Sequence, residues 1–224
     1  MQFGLIEMWV AMGPVAKAVA IILIALSIYS IYMLIERQLT FRRARKKSQE
    51  VAPKLADLLK NGQTKEAFTL SSKKDNKASH LARVTAAGIE EFLEGKAAGL
   101  SLDEQVDTAQ RGCERAATIY TQELKKGLSV LATIATSAPF IGLFGTIAGI
   151  INAFRSMALT GSGGIGTVAQ GIAEALVTTA FGIGVAIIAL WCYNSLNTRI
   201  EVFGAEMSNT TSQIVDFFIR KAEK

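Results

Sequence analysis

Apolar residues without a charge are concentrated in three blocks of the chain. The three uncharged blocks are Ala18 to Ile35, Gly127 to Phe154 and Ala175 to Thr198. An uncharged run of roughly 18 residues or more is typical of a membrane-spanning helix. We therefore predict three transmembrane helices, at residues 15–35, 128–154 and 167–198. No segment alternates apolar and polar residues as a strand does, so we expect an all-α membrane protein.

Basic residues follow the first block instead of preceding it. Residues 36–50 contain six bases and two acids, whereas the only charged residue of positions 1–14 is Glu7. This asymmetry predicts a periplasmic N-terminus, a cytoplasmic middle segment and a first block that is retained, not cleaved as a signal peptide. The remaining boundaries follow: a cytoplasmic helical domain at 36–127, a periplasmic loop at 155–166 and a cytoplasmic C-terminal helix at 199–224.

The first 14 residues contain an amphipathic segment ahead of Gly13-Pro14. Its apolar side consists of Phe3, Leu5, Ile6, Trp9 and Met12. A Trp-bearing amphipathic segment before a span predicts a helix that lies on the outer membrane surface. An unstructured N-terminal tip is the alternative.

The polar segment 36–127 contains helical sequence interrupted by breakers. We expect breaks at Asn61-Gly62, in the polar run "SSKKDNKAS" and at Gly99. The sequence "SLDE" that follows, Ser101 to Glu104, has the form of a capping box and predicts a helix start.

Two predicted helices carry an apolar face beyond the spans. After Ser101, apolar residues recur at spacings of three and four: Leu102, Val106, Ala109, Cys113, Ala116, Tyr120 and Leu124. We find no breaker before Leu128 and expect this helix to run straight into the second span. The third span is expected to continue past Arg199, with an apolar side formed by Ile200, Phe203, Met207, Ile214 and Phe217.

The net charge of +5 requires no nucleic-acid partner, because the basic cluster lies beside membrane lipid. Cys113 and Cys192 would face the cytoplasmic side or the inner end of a span, where a structural disulfide is not expected. The only histidine, His80, has no ligand-spaced neighbour in sequence. We recognise no nucleophile–base pair, phosphate-binding loop or metal set, so we predict neither an enzyme nor a cofactor.

Small residues form stripes on the second and third spans. Gly142, Gly145 and Gly149 share one side of the second span. The stripe on the third span consists of Gly171, Ala175, Thr178, Gly182, Ala186 and Ala189. Because lipid removes the hydrophobic drive between helices, such stripes predict close backbone packing.

Polar residues accompany these stripes. Counted from an outer turn near Gly161, Thr146 and Glu174 should lie at a similar depth, roughly 15 to 20 Å into the membrane. Thr178 lies one turn further on the Glu174 face, and Thr179 is beside it. A carboxyl group with nearby hydroxyls is suited to holding water or passing protons.

Three other interpretations of these residues stay open. Glu174 could lie near the outer interface, or it could form a structural bridge with Arg155. Each threonine could simply bond to a carbonyl of its own helix.

Two motifs in this hairpin resemble a known family. "APFIGLFGTIAGI", Ala138 to Ile150, followed by "GIAEALVTTAFGIG", Gly171 to Gly184, is similar to the paired signature of the TolQ/ExbB/MotA proton-channel family, most closely its ExbB and TolQ branch. By this resemblance Thr146, Glu174 and Thr179 match the polar ring that lines the pore, and Pro139 matches a proline of the first motif. Gln170 stands where many relatives have proline, so the helix start there is expected to differ in shape from theirs.

The resemblance implies a homopentamer in the bacterial inner membrane that encloses two copies of a single-span partner like ExbD or TolR. The partner's helix would carry the aspartate that is protonated and deprotonated, and a TonB- or TolA-like protein would receive the work. The function implied is the pore-forming subunit of a motor driven by the proton-motive force, such as one that serves TonB-dependent transport.

Four alternatives stay open at this point. A Tol-type or gliding-motility motor would use a closely similar subunit. A non-conducting membrane scaffold, a channel without an accessory subunit, and sodium in place of protons are the other three.

Overall fold

The computed structural model describes residues 9, 12–160 and 165–222, without the side chains at 159, 160, 165–167, 170, 221 and 222. In these ranges the chain forms six α-helices, one short 3-10 helix at Lys74–Asn76 and no strand. The α-helices are α1 (Pro14–Lys60), α2 (Thr64–Ser71), α3 (His80–Ala97), α4 (Leu102–Lys125), α5 (Leu128–Thr160) and α6 (Ile165–Ala222). The prediction of an all-α fold is confirmed.

Three of the helices are long and apolar enough to cross a membrane. These are α1, α5 and α6, and each contains one of the three uncharged blocks, except that Gly127 precedes α5. α5 continues to Thr160, six residues into the segment predicted as a loop, and α6 is already helical at Ile165. Except for Trp9 and Met12, the predicted N-terminal surface helix lies outside the described residues.

The chain divides into two compact units. The span unit contains residues 1–35 and 127–195, and the polar unit contains residues 36–126 and 196–224. The core of the span unit lies where α1, α5 and α6 meet. It is formed by Val19, Leu23, Ile134, Ala138, Val185, Ala186 and Ala189. These side chains are small or β-branched at most positions, which lets the three helices approach closely.

Glycine ends two helices of the polar unit where the sequence predicts breaks. Gly62 and Gly99 have φ angles of 76° and 74°, in the left-handed region that glycine adopts at little cost. The predicted capping box at the start of α4 is confirmed. The Ser101 backbone N–H donates to Glu104 Oε2 at 2.8 Å, and the Glu104 N–H donates to Ser101 Oγ at 3.4 Å.

The predicted continuous helix from Ser101 into the second span is wrong. α4 ends at Lys125, and Gly127 has a φ angle of 85° before α5 begins at Leu128. A residue with positive φ cannot continue a right-handed helix, so Gly127 is the breaker that the sequence interpretation overlooked.

The apolar faces of α4 and α6 differ from the prediction at one position each. Leu102 was expected on the buried face of α4 but is exposed, because it lies at the first residue of the helix. On α6, Phe218 is fully buried whereas Phe217 is only half-buried. Phe218 stacks on Phe92 of α3 with 3.8 Å between ring centroids. The apolar face of α6 therefore ends one residue later than predicted.

Candidate functional site

α5 and α6 approach each other backbone to backbone. A Cβ atom built on Gly142 would lie 2.7 Å from the Thr178 carbonyl oxygen, and one on Gly182 would lie 2.6 Å from the Ala138 carbonyl oxygen. Real Cβ atoms do not come this close to backbone atoms. Pro139, the next residue of α5, is half-buried inside the helix. Glycine is therefore required at both crossing points for this packing.

The same contact continues toward the end of α5 and the start of α6. A Cβ on Gly145 would lie 2.8 Å from Thr178 Oγ1, and one on Gly149 would lie 2.8 Å from the Ala175 Cβ. A Cβ on Gly171 would meet the Ala153 side chain. Along these contacts the residue numbers decrease on α5 as they increase on α6, so the two helices are antiparallel and their register is defined.

Three threonine hydroxyls meet at this contact, and we call Thr146, Thr178 and Thr179 the threonine cluster. Thr146 Oγ1 lies 3.0 Å from the Ala175 carbonyl oxygen and 3.4 Å from Thr178 Oγ1, and it also contacts Thr179 Oγ1. Thr178 Oγ1 is 2.7 Å from the Ala175 oxygen. Each hydroxyl has one proton, so these hydrogen bonds alternate instead of all forming together.

The threonine cluster is largely enclosed. Thr146 and Thr178 are buried and Thr179 is half-buried. Thr146 also lies 3.2 Å from the Gly142 carbonyl oxygen of its own helix. The Thr146 hydroxyl is therefore within reach of a carbonyl of its own helix, as one of the alternative interpretations of the threonines expects, and also contacts α6.

Glu174 lies beside the threonine cluster but faces a different space. It is half-buried and lines a cavity of about 600 Å³ together with Asn152, Arg155 and Ser156 of α5. The glycine contacts pair Gly149 with Ala175 and Gly145 with Thr178, so Glu174 lies about one helical turn from Thr146 along the hairpin. The structure thus separates the predicted set into three clustered hydroxyls and one carboxylate in the adjoining cavity.

Arg155 and Glu174 are the only charged residues between Gly127 and Thr198. Both line the same cavity. The register places Arg155 about five residues beyond the level of Glu174 toward the end of α5, or roughly 7.5 Å along the axis. An extended arginine side chain covers that distance, so the guanidinium and the carboxylate belong to one electrostatic environment.

The start of α1 closes the cavity from the third side. Gly13 and Pro14 line it, and a Cβ on Gly13 would lie 3.3 Å from Asn152 Nδ2. Lys17, one turn further along α1, is half-buried in the span unit. Sequence reasoning missed Asn152 and Ser156 as neighbours of Glu174. The only signal in the sequence was their position, since Asn152 and Ser156 each lie two residues from Phe154, where the uncharged block ends.

The polar unit contains a serine–histidine pair that sequence reasoning also missed. Ser48 Oγ lies 2.9 Å from His80 Nδ1, and His80 Nε2 lies 2.6 Å from Glu206 Oε2. These residue types in this order match a hydrolase triad. Ser48 and His80 are 3% and 0% exposed, so substrate has no access to the serine. Among the described residues, no group of three or more His, Cys, Asp or Glu side chains could hold a metal ion.

Residues 76–209 match the MotA/TolQ/ExbB proton channel family. The chain is 34% identical over 164 residues to the biopolymer transport protein ExbB of Pseudomonas putida, covering 72% of this chain and 48% of that protein. It is 31% identical over 192 residues to the Tol-Pal system protein TolQ of Pseudomonas aeruginosa, covering 84% and 80%. With TolQ of Haemophilus influenzae it shares 28% identity over 224 residues, covering 99% and 96%.

These similarities extend over different lengths. The chain spans about half of the ExbB relative but most of the two TolQ relatives. The matched family region contains the hairpin of α5 and α6 with the threonine cluster, Glu174 and the glycine crossing points. Three helices are long and apolar enough to cross a membrane, as expected of a membrane protein. The chain belongs to the MotA/TolQ/ExbB proton channel family.

Proposed function

We propose that this protein is the pore-lining subunit of a motor in the bacterial inner membrane that is driven by the proton-motive force. In this proposal a single-span partner like ExbD or TolR completes the complex. Ion flow through the complex then performs mechanical work on the cell envelope, such as TonB-dependent transport. The observation that carries the proposal is the contact of Thr146 with Thr178, Thr179 and the Ala175 carbonyl, about one helical turn from Glu174.

The proposed ion pathway consists of Thr146, Glu174, Thr178 and Thr179. A carboxylate inside an apolar hairpin is costly for insertion and is by default a candidate for an ion pathway. One charge that crosses the membrane gains about 2.3 kcal/mol per 100 mV, so several ions per cycle supply substantial work. The Glu174 carboxylate receives ions from the 600 Å³ cavity, and the threonine cluster continues the path inward.

The assembly that we propose is a homopentamer around two copies of the partner, with a TonB- or TolA-like protein as recipient of the work. Its N-terminus is periplasmic and its C-terminus is cytoplasmic, as the basic residues after the first span indicate. The glycine crossing points between α5 and α6 hold the two helices of each subunit's hairpin in close contact.

A Tol-type motor is the second candidate function, and one observation favours it. The two TolQ relatives match along 84% and 99% of this chain, and the matches cover 80% and 96% of their own lengths. The ExbB relative from Pseudomonas putida is more similar per residue but extends far beyond the match. Complementation of strains that lack ExbB or TolQ, each with the cognate partner genes, distinguishes the two.

The test of the pathway is proton flux in proteoliposomes that contain this chain and the single-span protein encoded beside it. We expect Glu174→Gln and Thr146→Val each to reduce proton flux at least about tenfold. A tenfold reduction corresponds to an increase of about 1.4 kcal/mol in the barrier to proton transfer. Thr133→Val is the matched control, because Thr133 is exposed and its hydroxyl donates to the Ser129 carbonyl oxygen of its own helix, α5. Crosslinking reports whether the complex stays assembled.

Full flux in the Glu174, Thr146 and Thr179 variants with an intact complex would contradict the pathway. That outcome would favour a scaffold, in which the glycine crossing points only hold helices together. The same vesicles assayed in sodium-free buffer decide between the two ions. If the neighbouring gene encodes no single-span protein with an aspartate in its helix, the subunit would instead be a self-contained channel.

A further inference from the structure

His80 is the only histidine of the chain, and four helices of the polar unit enclose it. Its Nε2 atom lies 2.6 Å from Glu206 Oε2 on α6, and its Nδ1 atom lies 2.9 Å from Ser48 Oγ on α1. The Phe203 ring meets the imidazole edge-on at 4.7 Å, and the Tyr120 ring of α4 stacks at 6.3 Å. The imidazole thus has a polar partner on each nitrogen and aromatic rings on its faces.

The hydrogen-bond chain continues from Ser48 to the start of α3. Ser48 Oγ lies 2.8 Å from Ser79 Oγ, and Ser79 Oγ accepts from the Ala82 N–H at 3.1 Å as the N-cap of α3. With neutral imidazole protonated at Nε2, each donor has an acceptor. Nε2–H donates to Glu206, the Ser48 hydroxyl to Nδ1, and the Ser79 hydroxyl to Ser48. One tautomer therefore satisfies the whole chain.

A second proton on the imidazole reverses this chain. Nδ1–H must then donate to Ser48 Oγ, so the Ser48 hydroxyl turns and donates to Ser79. The Ser79 hydroxyl proton loses Ser48 as its acceptor while Ser79 Oγ still caps α3. A buried hydroxyl that loses its acceptor destabilises the structure around it. The start of α3 consequently registers the protonation state of His80.

Burial and the neighbouring carboxylate shift the pKa of His80 in opposite directions. Burial lowers the pKa of His80 below its ordinary value of 6.5, while the hydrogen bond that Nε2–H donates to the Glu206 carboxylate raises it. Burial dominates, because the imidazole is enclosed whereas the Glu206 side chain is 37% exposed and partly screened by solvent. Arg83 of α3 lies 4.9 Å from the centroid of the Tyr120 ring and pairs with Glu123 at 2.7 Å. From α1 the facing group is the uncharged Ser48.

We propose that His80 is a proton-binding site outside the ion pathway, through which acidification of the solution around the polar unit loosens the junction of α1, α3 and α6. The site is neutral at neutral pH. As pH falls below 6.5 the unfolded chain binds this proton before the folded chain does, so the stability of the folded state decreases. The site would let the subunit respond to the pH on one side of the membrane independently of conduction.

The first test is a histidine titration of the full-length protein, purified without a histidine tag and labelled with ¹⁵N only at histidine. One imidazole is then visible by NMR. We expect the Nε2–H tautomer at pH 7.5 and a protonation midpoint below 6.5. Glu206→Gln should move the midpoint further down, because it removes the neighbouring anion. Asp107→Asn neutralises an exposed carboxylate on α4 and should leave the midpoint unchanged.

A midpoint at or above 6.5, or an Nδ1–H tautomer at pH 7.5, would overturn the proposal. So would a Glu206→Gln midpoint equal to that of the unaltered chain. The titration needs no functional assay, so its outcome is independent of the proposed motor.

The second test follows amide hydrogen exchange at the start of α3, expressed as protection relative to the unfolded chain at each pH. Between pH 7.5 and 5.5 we expect protection near Ala82 to fall about fivefold, the factor for one net hydrogen bond. The start of α4 is the internal control, because the Ser101–Glu104 capping box does not titrate in that range. Ser48→Ala keeps His80 but breaks the relay, so it should abolish the decrease. Unchanged protection in the unaltered chain would contradict the relay.

Discussion

Gly142 of α5 and Gly182 of α6 meet backbone to backbone: a Cβ on Gly182 would lie 3.0 Å from the Cα of Gly142. A side chain at either position would force the two helices apart, since the Thr178 carbonyl oxygen lies beside Gly142 and the Ala138 carbonyl oxygen lies beside Gly182. This crossing holds Thr146 against Ala175. The geometry of the threonine cluster therefore depends on two residues that have no side chain.

The Gly182→Ala substitution should destabilise the span unit by about 1–3 kcal/mol, as overpacking of a close contact does. Gly184→Ala is the matched control, because a Cβ on Gly184 meets nothing within 4 Å. The control lies on the same helix two residues away. Thermal unfolding of the full-length protein in detergent compares the two variants, and equal midpoints would contradict the close crossing.

The Gly127→Ala substitution should cost about 1–2 kcal/mol, because Gly127 has a φ angle of 85° in the left-handed region. The added Cβ would also displace the end of the Met33 side chain. Gly62→Ala is the control: its φ angle is 76°, and its Cβ would meet nothing within 4 Å. Gly127→Ala should lower the unfolding temperature more than Gly62→Ala, and Met33→Ala should remove that difference. The reverse order would show that Met33 does not limit this turn.

Arg155 and Glu174 should be energetically coupled through their shared cavity. In a double-mutant cycle of Arg155→Gln and Glu174→Gln, we expect a coupling energy of about 0.5–3 kcal/mol. The exposed Arg111–Asp107 pair on α4 is the reference and should give about 0.3–0.5 kcal/mol. Strict additivity of the Arg155 and Glu174 single substitutions in unfolding free energy would mean that the cavity does not connect the two charges.

Cys113 should resist thiol reagents in the folded protein. Burial raises the pKa of Cys113 to about 11, and its Sγ atom lies 3.5 Å from the Val84 carbonyl oxygen. At pH 8 about one thiol in a thousand is ionised. In a Cys192→Ser background, maleimide labelling should be at least about a hundredfold slower in the folded than in the denatured protein. Comparable rates would show that α3 and α4 separate readily.

Because the pKa of the Cys113 thiol is raised, its ionisation opposes folding at high pH. The unfolded chain loses this proton from about its ordinary value of 9.0, whereas the folded chain holds it to about 11. Stability should therefore decrease as pH rises through this interval. A Cys113→Ala variant, compared from pH 8 to pH 10, should show a smaller decrease.

Local sequence was sufficient for the elements and for the family. The uncharged blocks identify the spanning helices because lipid admits few charges over such a length. Ser101, Glu104 and Gly62 define helix ends through contacts within three residues. Gly127 was the exception, since a single glycine inside helical sequence does not reveal its φ angle.

Tertiary structure alone decided which side chains meet. By helix rise the sequence placed Thr146 and Glu174 at one level, but only the register of α5 against α6 assigned Thr146 to the threonine cluster and Glu174 to the cavity with Arg155. His80 and Glu206 are in contact although they lie 126 residues apart in sequence. Together with Ser48 they form no local sequence pattern. Hydrophobic periodicity and capping are short-range properties of the chain. The partners of a buried polar group depend on how distant helices pack, and that packing is fixed by the sum of many weak contacts.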